Sequence, residues 1–139
     1  MKNTLAVLTL SLSAIALTAC DSQQTVVAED LMHHRFELVK ANDQTISNDG
    51  NIYIEFGENL TLNGKMCNRF FGQSTLQDGV LKSSGLAMTK MLCGSEQLNQ
   101  LDNNINQLLK NGANITLTDK QLTLKKDDIQ LEFTLKDLL

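Results

Sequence analysis

Met66-Cys67-Asn68-Arg69-Phe70-Phe71-Gly72, answered by Leu86-Ala87-Met88-Thr89-Lys90-Met91-Leu92-Cys93, organises this chain of 139 residues. The two stretches carry Cys67 and Cys93, two of its three cysteines. Between them, Asp78-Gly79 is a strong two-residue hairpin signal, because the favoured tight turns need positive φ at their central positions. Gly64 to Gln77 therefore reads as a corner followed by a strand, with Val80 to Ser84 returning antiparallel. Leu86 to Leu92 follows as an irregular crossing segment. Beyond Cys93, Ser95 is placed to cap a helix and Glu96 lies favourably in its first turn. Leu98, Leu101, Ile105, Leu108 and Leu109 recur at helical spacing, and Asn111-Gly112 supplies the stop. The opposite face, Asn99, Gln100, Asn103, Asn104 and Gln107, is polar and nearly uncharged, so the helix packs one stripe on a sheet.

Outward from this centre the period is two. Phe36 to Ala41 reads as a strand, preceded by a short helical turn within Glu29 to Arg35. Ile52, Ile54 and Phe56 alternate with Tyr53 and Glu55, and Gly57-Glu58-Asn59 turns the chain into Leu60-Thr61-Leu62. At the far end, Ile115, Leu117, Leu122, Leu124, Ile129, Leu131, Phe133 and Leu135 alternate with polar residues. Turns fall at Thr118-Asp119-Lys120 and Lys126-Asp127-Asp128. The expected fold is α+β: an antiparallel, strongly curved sheet, a half-barrel of about seven or eight short strands. One long helix is inserted before a C-terminal three-stranded meander.

The first residues carry an address rather than a fold. Lys2, the apolar run Leu5 to Leu17 and the small pair Thr18-Ala19 make residues 1–19 a secretion signal, and the run is too short for a permanent span, which needs about 20 apolar residues. Leu17-Thr18-Ala19-Cys20 resembles the lipobox of bacterial lipoproteins, so Cys20 is expected to become the first mature residue and to carry three acyl chains of the palmitate kind. About two such signals suffice for stable anchoring. Residues 20–28 then form the lipidated cysteine and a polar tether, and 29–139 the domain. The expected location is the bacterial cell envelope, facing the periplasm, with Asp21 resembling an inner-membrane retention signal and the outer membrane as the alternative.

The full chain has a formal charge of −4, and residues 1–19 contain Lys2 as their only charge, so the mature chain stands at −5. An acidic domain without a Lys/Arg cluster does not seek nucleic acid. Attachment to the membrane is left to the lipid.

In an oxidising envelope Cys67 and Cys93 are most simply a disulfide. A rival reading is soft-metal or thiol redox chemistry, since Met66, Met88 and Met91 accompany the two cysteines and thioethers and thiolates suit Cu(I). Met is also the usual filler of irregular core gaps. His33 and His34, the only histidines, are adjacent and so point in different directions, with no acidic or cysteine partner at ligand spacing; they read as surface and half-buried fold residues. Glu55, Glu58, Asp102 and Glu132 fall where exposed strand, turn and helix residues normally sit. The sequence contains no nucleophile elbow, no His-Glu-x-x-His pair and no phosphate loop. No residue nominates itself as catalytic, and no cofactor or metal is expected.

Gly64-x-x-Cys67-Asn68-x-Phe70-x-Gly72, then Leu86-Ala87-Met88-Thr89-Lys90-Met91-x-Cys93 leading into a helix, resembles the META domain family. The likeness runs from about Leu31 to Leu139 and includes His33-His34-Arg35-Phe36 and Gln97-Leu98-Asn99. Many members have tryptophan in the first strand and glycine at the next turn, where this chain has Phe36 and Asn42. The resemblance implies a small envelope domain induced by heat or other stress, without established catalysis. Of its shared residues, Gly64 and Gly72 are expected to permit bends, Asn68 to cap a turn, and Cys67 and Cys93 to bridge. Alternatively these shared residues, Gly64, Cys67, Asn68, Phe70, Gly72, Thr89, Met91 and Cys93, surround a binding surface. The functional expectation is a non-enzymatic module that binds an envelope protein or a small apolar ligand at one open side of the sheet.

Overall fold

Residues 24–47 and 49–138 are described by a computed structural model. The signal expected over 1–19, the lipidation site Cys20 and Asp21 lie outside the described residues. Nearly every strand follows from apolar alternation. In β1 (His34–Ala41), Phe36 and Leu38 point inward, and in β3 (Tyr53–Phe56) it is Ile54 and Phe56. A two-residue strand, β2 (Gln44–Thr45), folds back on the end of β1. Next come β4 (Thr61–Lys65), β5 (Arg69–Gln77), β6 (Val80–Ser83) and the short β7 (Ala87–Met88). The meander is β8 (Ala113–Thr118), β9 (Gln121–Lys126) and β10 (Ile129–Leu138).

Every strand pairing is antiparallel, and the order β10-β9-β8-β6-β5-β4-β3-β1 is closed by β10 pairing back onto β1. The expected half-barrel thus completes its ring. Closure removes the two unpaired edges that an open sheet would leave. It is reached through register shifts in β1 between Arg35 and Phe36 and between Leu38 and Lys40, irregularities that bend a strand round a barrel. The interior is filled by Phe36, Ile54, Phe56, Phe70, Leu122 and Phe133, each at most 1% exposed, and their neighbours. Phe36 meets Phe56 edge-on at 6.1 Å. Burying each such side chain contributes about 1.5–3 kcal/mol.

Helix α2 (Glu96–Asn111) lies against β6, β9 and β10 and adds Leu101, Ile105, Leu108 and Leu109 to the same core. Ser95 Oγ accepts the Leu98 N–H at 3.2 Å, and Gly112 leaves the helix at φ 86°. The turn residues carry the φ their types allow: Asp78 and Gly79 at 51° and 72°, Asp119 at 54°, Asp127 at 53°. Asn42 adopts φ 53°, and its Oδ1 accepts the Gln130 N–H at 2.8 Å. The left-handed region is where Asn substitutes for Gly at least cost.

Two boundaries differ from expectation. Within the stretch 20–28 expected to be a polar tether, Val26 is 5% exposed in the core, and α1 (Ala28–Leu31) follows at once, with Leu31 fully buried. The turn Gly57-Glu58-Asn59 is a 3-10 turn over Glu58–Leu60 in which Asn59 and Leu60 have φ of 52° and 59°. Leu60 is held there because its side chain is buried and its carbonyl accepts Ser74 Oγ at 2.7 Å.

A clamped corner and the groove beside it

The corner Met66–Asn68 joins β4 to β5, and its N–H groups, outside the sheet ladder, need partners because both Cys67 and Asn68 are buried. Asp102 of α2 supplies them. One carboxylate oxygen accepts Cys67 N–H at 3.1 Å and Asn68 N–H at 2.9 Å; the other accepts the Asn68 side-chain amide at 2.7 Å. Asp102 is 8% exposed, so its expected place on an exposed helix face is corrected. The helical pattern held a signal: Leu98, Asp102, Ile105 and Leu109 fall at i, i+4, i+7 and i+11, which sets the carboxylate within the apolar stripe.

Asn68 uses the rest of its amide on the crossing segment. Its Nδ2 donates to Met91 O at 2.9 Å, and its Oδ1 accepts Met91 N–H at 2.7 Å and the Thr89 hydroxyl at 2.9 Å. Thr89 Oγ1 in turn accepts Arg69 N–H at 3.1 Å. Asn68 therefore does not cap its own turn, as the sequence reading had it; its side chain acts as a stretch of strand, pairing backbone more than 20 residues away. One turn before Asp102, Asn99 does the same for the next residues, accepting Cys93 N–H at 3.2 Å and donating to Cys93 O at 3.2 Å. A disulfide joins Cys67 to Cys93 with their Cα atoms 6.0 Å apart. Corner, crossing segment and helix are thus tied at three points.

The two glycines serve close approach rather than bending. Gly64 lies opposite Phe70 across β4 and β5, and a Cβ there would strike the Phe70 ring and come within 2.7 Å of Tyr53 O. At Gly72 the chain passes overhead, so a Cβ would meet Gly85 O at 2.9 Å. Phe70 itself is fully buried.

The sulfur cluster does not converge. Met66 is 2% exposed in the core, Met88 is half-buried, Met91 is 64% exposed, and both cysteines are bridged. His33 pairs with Glu58 at 3.2 Å, a partner its sequence neighbourhood did not reveal, and His34 Nδ1 lies 2.8 Å from Met32 O. Glu55 and Glu132 are only 14% and 15% exposed at their side chains, not the open strand residues expected. Glu55 takes Arg35 Nη1 at 2.9 Å and Asn63 at 3.1 Å; Glu132 takes Gln121 and Gln130 at 2.9 and 2.8 Å. Arg35 also stacks 3.6 Å over Tyr53. Among the described residues no two of these four carboxylates share a hydrogen-bond partner. Among the described residues no group of three or more His, Cys, Asp or Glu is placed to hold a metal.

What the clamp presents is a groove of about 610 Å³ between the crossing segment and α2. Leu86, Met88, Met91 and Leu92 line it from one side, and Asn99, Asn103 and Asn106 from the other. Leu92 is 96% exposed and Phe71, nearby on β5, 58%. Because the sheet closes, the expected open side for a ligand does not exist; the concavity lies outside the ring, beside the helix.

A family profile for the META domain matches residues 29–137. The chain is 43% identical over 140 residues to the heat shock protein HslJ of Escherichia coli (strain K12), covering 100% of this chain and 99% of that one. A protein solved by NMR shares 46% identity, with TM-score 0.75, over 79% of this chain and 95% of its own. Another NMR structure, from Burkholderia xenovorans, superposes at TM-score 0.66 over 95% and 99% of the two chains; at 19% identity it bears on the fold alone.

Proposed function

Because this chain belongs to the META domain family, we propose that it is a heat-shock-type stress protein of the bacterial envelope, tethered by lipid at Cys20 and acting by binding rather than by catalysis. Its relation to HslJ, named as a heat shock protein, supports the stress assignment. The observation that carries the non-catalytic reading is saturation. Asn68 has both amide hydrogens and its oxygen engaged, Asp102 has both oxygens engaged, and Thr89 both donates and accepts. A general base or nucleophile needs a free lone pair or proton facing substrate. These groups spend theirs on backbone and on one another, so the motif builds a fixed loop, and the surface the loop exposes is left to do the binding.

The test is the intact mass of protein extracted from membranes, with and without reduction and thiol alkylation. A triacylated species starting at Cys20 with no free thiol is the expected result. An unacylated chain would remove the tether, and alkylation of Cys67 or Cys93 without reduction would return soft-metal or redox chemistry to the front. Substrate turnover lost on changing Asn68 or Thr89, with the fold retained, would overturn the binding reading.

A further inference from the structure

Residues 61–93 carry four cations, Lys65, Arg69, Lys82 and Lys90, against one carboxylate, Asp78. That is a net +3, which leaves −8 on the rest of the mature chain. The segment forms β4, β5, β6, β7 and the crossing loop, so an imbalance in sequence becomes one wall of the ring. It is three strands wide, because β6 and β7 follow one another along the edge of β5 that faces away from β4. Alternation turns Lys65, Arg69 and Lys82 outward, since Gly64, Phe70 and Leu81 beside them are buried. Lys65 stands directly opposite Arg69, an arrangement of like charges that repels. Among the described residues none of the four cations has a carboxylate within ion-pairing distance. Asp49 takes its main hydrogen bond from Asn51, with Lys65 a lesser influence.

The same wall carries exposed apolar groups. Phe71, outward between Arg69 and Gln73, is 58% exposed. Thr89 N–H donates to Arg69 O, so the crossing loop leaves from the end of this wall, and there Met91 and Leu92 are 64% and 96% exposed. Bonds to Asn68 and the disulfide fix the loop, so it has little freedom left to lose on contact.

Resting on the tethered, binding reading above and naming its partner, we propose that this wall lies on a bilayer bearing anionic headgroups. Lys65, Arg69, Lys82 and Lys90 meet the phosphates, while Phe71 and Leu92 enter at the acyl boundary. Apolar side chains ringed by long cationic ones suit the interface, and about four Lys or Arg suffice to draw a surface to an anionic leaflet. Charge also orients the molecule, because the acidic remainder is repelled by the surface that attracts this wall. The sequence showed no Lys/Arg cluster because at least four positions separate any two of these cations.

The chain outside the described residues is long enough for the contact. The Gln73 side chain donates to Asn59 O in the 3-10 turn on which α1 packs, and Arg69 lies four residues away along β5, about 13 Å. Cys20 stands six residues before buried Val26, a reach of at most about 21 Å. An acyl chain at Cys20 makes the contact intramolecular, so weak attraction is enough to hold it.

The test uses the lipidated full chain in phosphatidylethanolamine nanodiscs, with and without phosphatidylglycerol, a gadolinium chelate on some headgroups, and amide relaxation by NMR. The reference is β10, four strands from β5 either way round the ring. With phosphatidylglycerol, the amides of Phe71 and Leu92 are expected to relax at least threefold faster than those of Glu132 and Thr134. Omitting phosphatidylglycerol, or the double variant Arg69→Glu, Lys82→Glu, is expected to bring the ratio close to one. Both side chains are exposed, and amide shifts elsewhere report that the fold is kept. Equal relaxation on the two sides, or faster relaxation on β10, would overturn the contact and leave the wall to a soluble partner. So would a ratio that survives both loss of phosphatidylglycerol and charge reversal, since the tether alone would then set the orientation. A chain that is acylated and bridged by mass yet shows no favoured side loses this contact and keeps the proposed function.

Discussion

Asp102 receives both the backbone N–H and the side-chain amide of Asn68, a residue 34 positions earlier, while its first oxygen also takes Cys67 N–H. Removing the carboxylate strands buried donors, at about 1–3 kcal/mol each. Asp102→Ala is expected to destabilise by about 3 kcal/mol or more, read as a lower urea midpoint at unchanged slope. Asp102→Asn places a second NH2 against the Asn68 amide, donor to donor, and is expected to be nearly as damaging. A neutral Asp102→Asn would refute the hub.

Asn68→Ala removes the bonds that hold the crossing segment while leaving the ring pairings in place. Amide exchange is expected to separate the two: Met91 N–H loses protection, while amides of β9 and β10 keep theirs. Uniform loss across the sheet would instead make Asn68 part of one global unit.

Glycine replacement discriminates close approach from flexibility. Gly64→Ala drives a methyl into Phe70 and Tyr53 O and is expected to cost about 2–3 kcal/mol in line with overpacking. Gly85→Ala meets open space and is expected to stay within about 0.5 kcal/mol of the parent in the same denaturation assay.

Closing 26 residues with a disulfide is worth about 3.5 kcal/mol by loop entropy. The double variant Cys67→Ser, Cys93→Ser is therefore expected to lose up to that amount and still fold, because Asp102, Asn68 and Asn99 continue to hold the corner. Collapse of the near-ultraviolet circular dichroism at 25 °C would contradict this.

Leu92→Ser removes an almost fully exposed side chain and is expected to change thermal stability by less than about 0.5 kcal/mol. Any larger loss would show that the loop packs more tightly than its exposure indicates.

Local chemistry carried most of the fold. Asp78-Gly79, Ser95, Asn111-Gly112 and the alternating meander each declare their geometry within a few residues, and the elements stand where those signals put them. Ring closure was not legible, because the pairing of Phe36 with Leu135 and of Leu38 with Phe133 joins residues nearly 100 positions apart and leaves no mark on either strand alone. The site divided along the same line. Cys67 and Asn68 stood out by their setting, whereas Asp102 looked like one more polar residue on a polar helix until its position within the apolar stripe was counted. The Gly64 and Gly72 roles depended on what passes over them, Phe70 and Gly85, which only the assembled structure places.

The pairing of β1 with β10 also sets an order of events. A chain synthesised or threaded through a translocon N-terminus first offers β1 at once, but its partner strand is the last of the eight to emerge. Until Ile129–Leu138 is delivered the cylinder has a missing stave, and Leu38 and Leu122, which flank Phe133 in the closed ring, have nothing between them. Such a chain remains unfinished for nearly the whole of its synthesis, and it locks only on release.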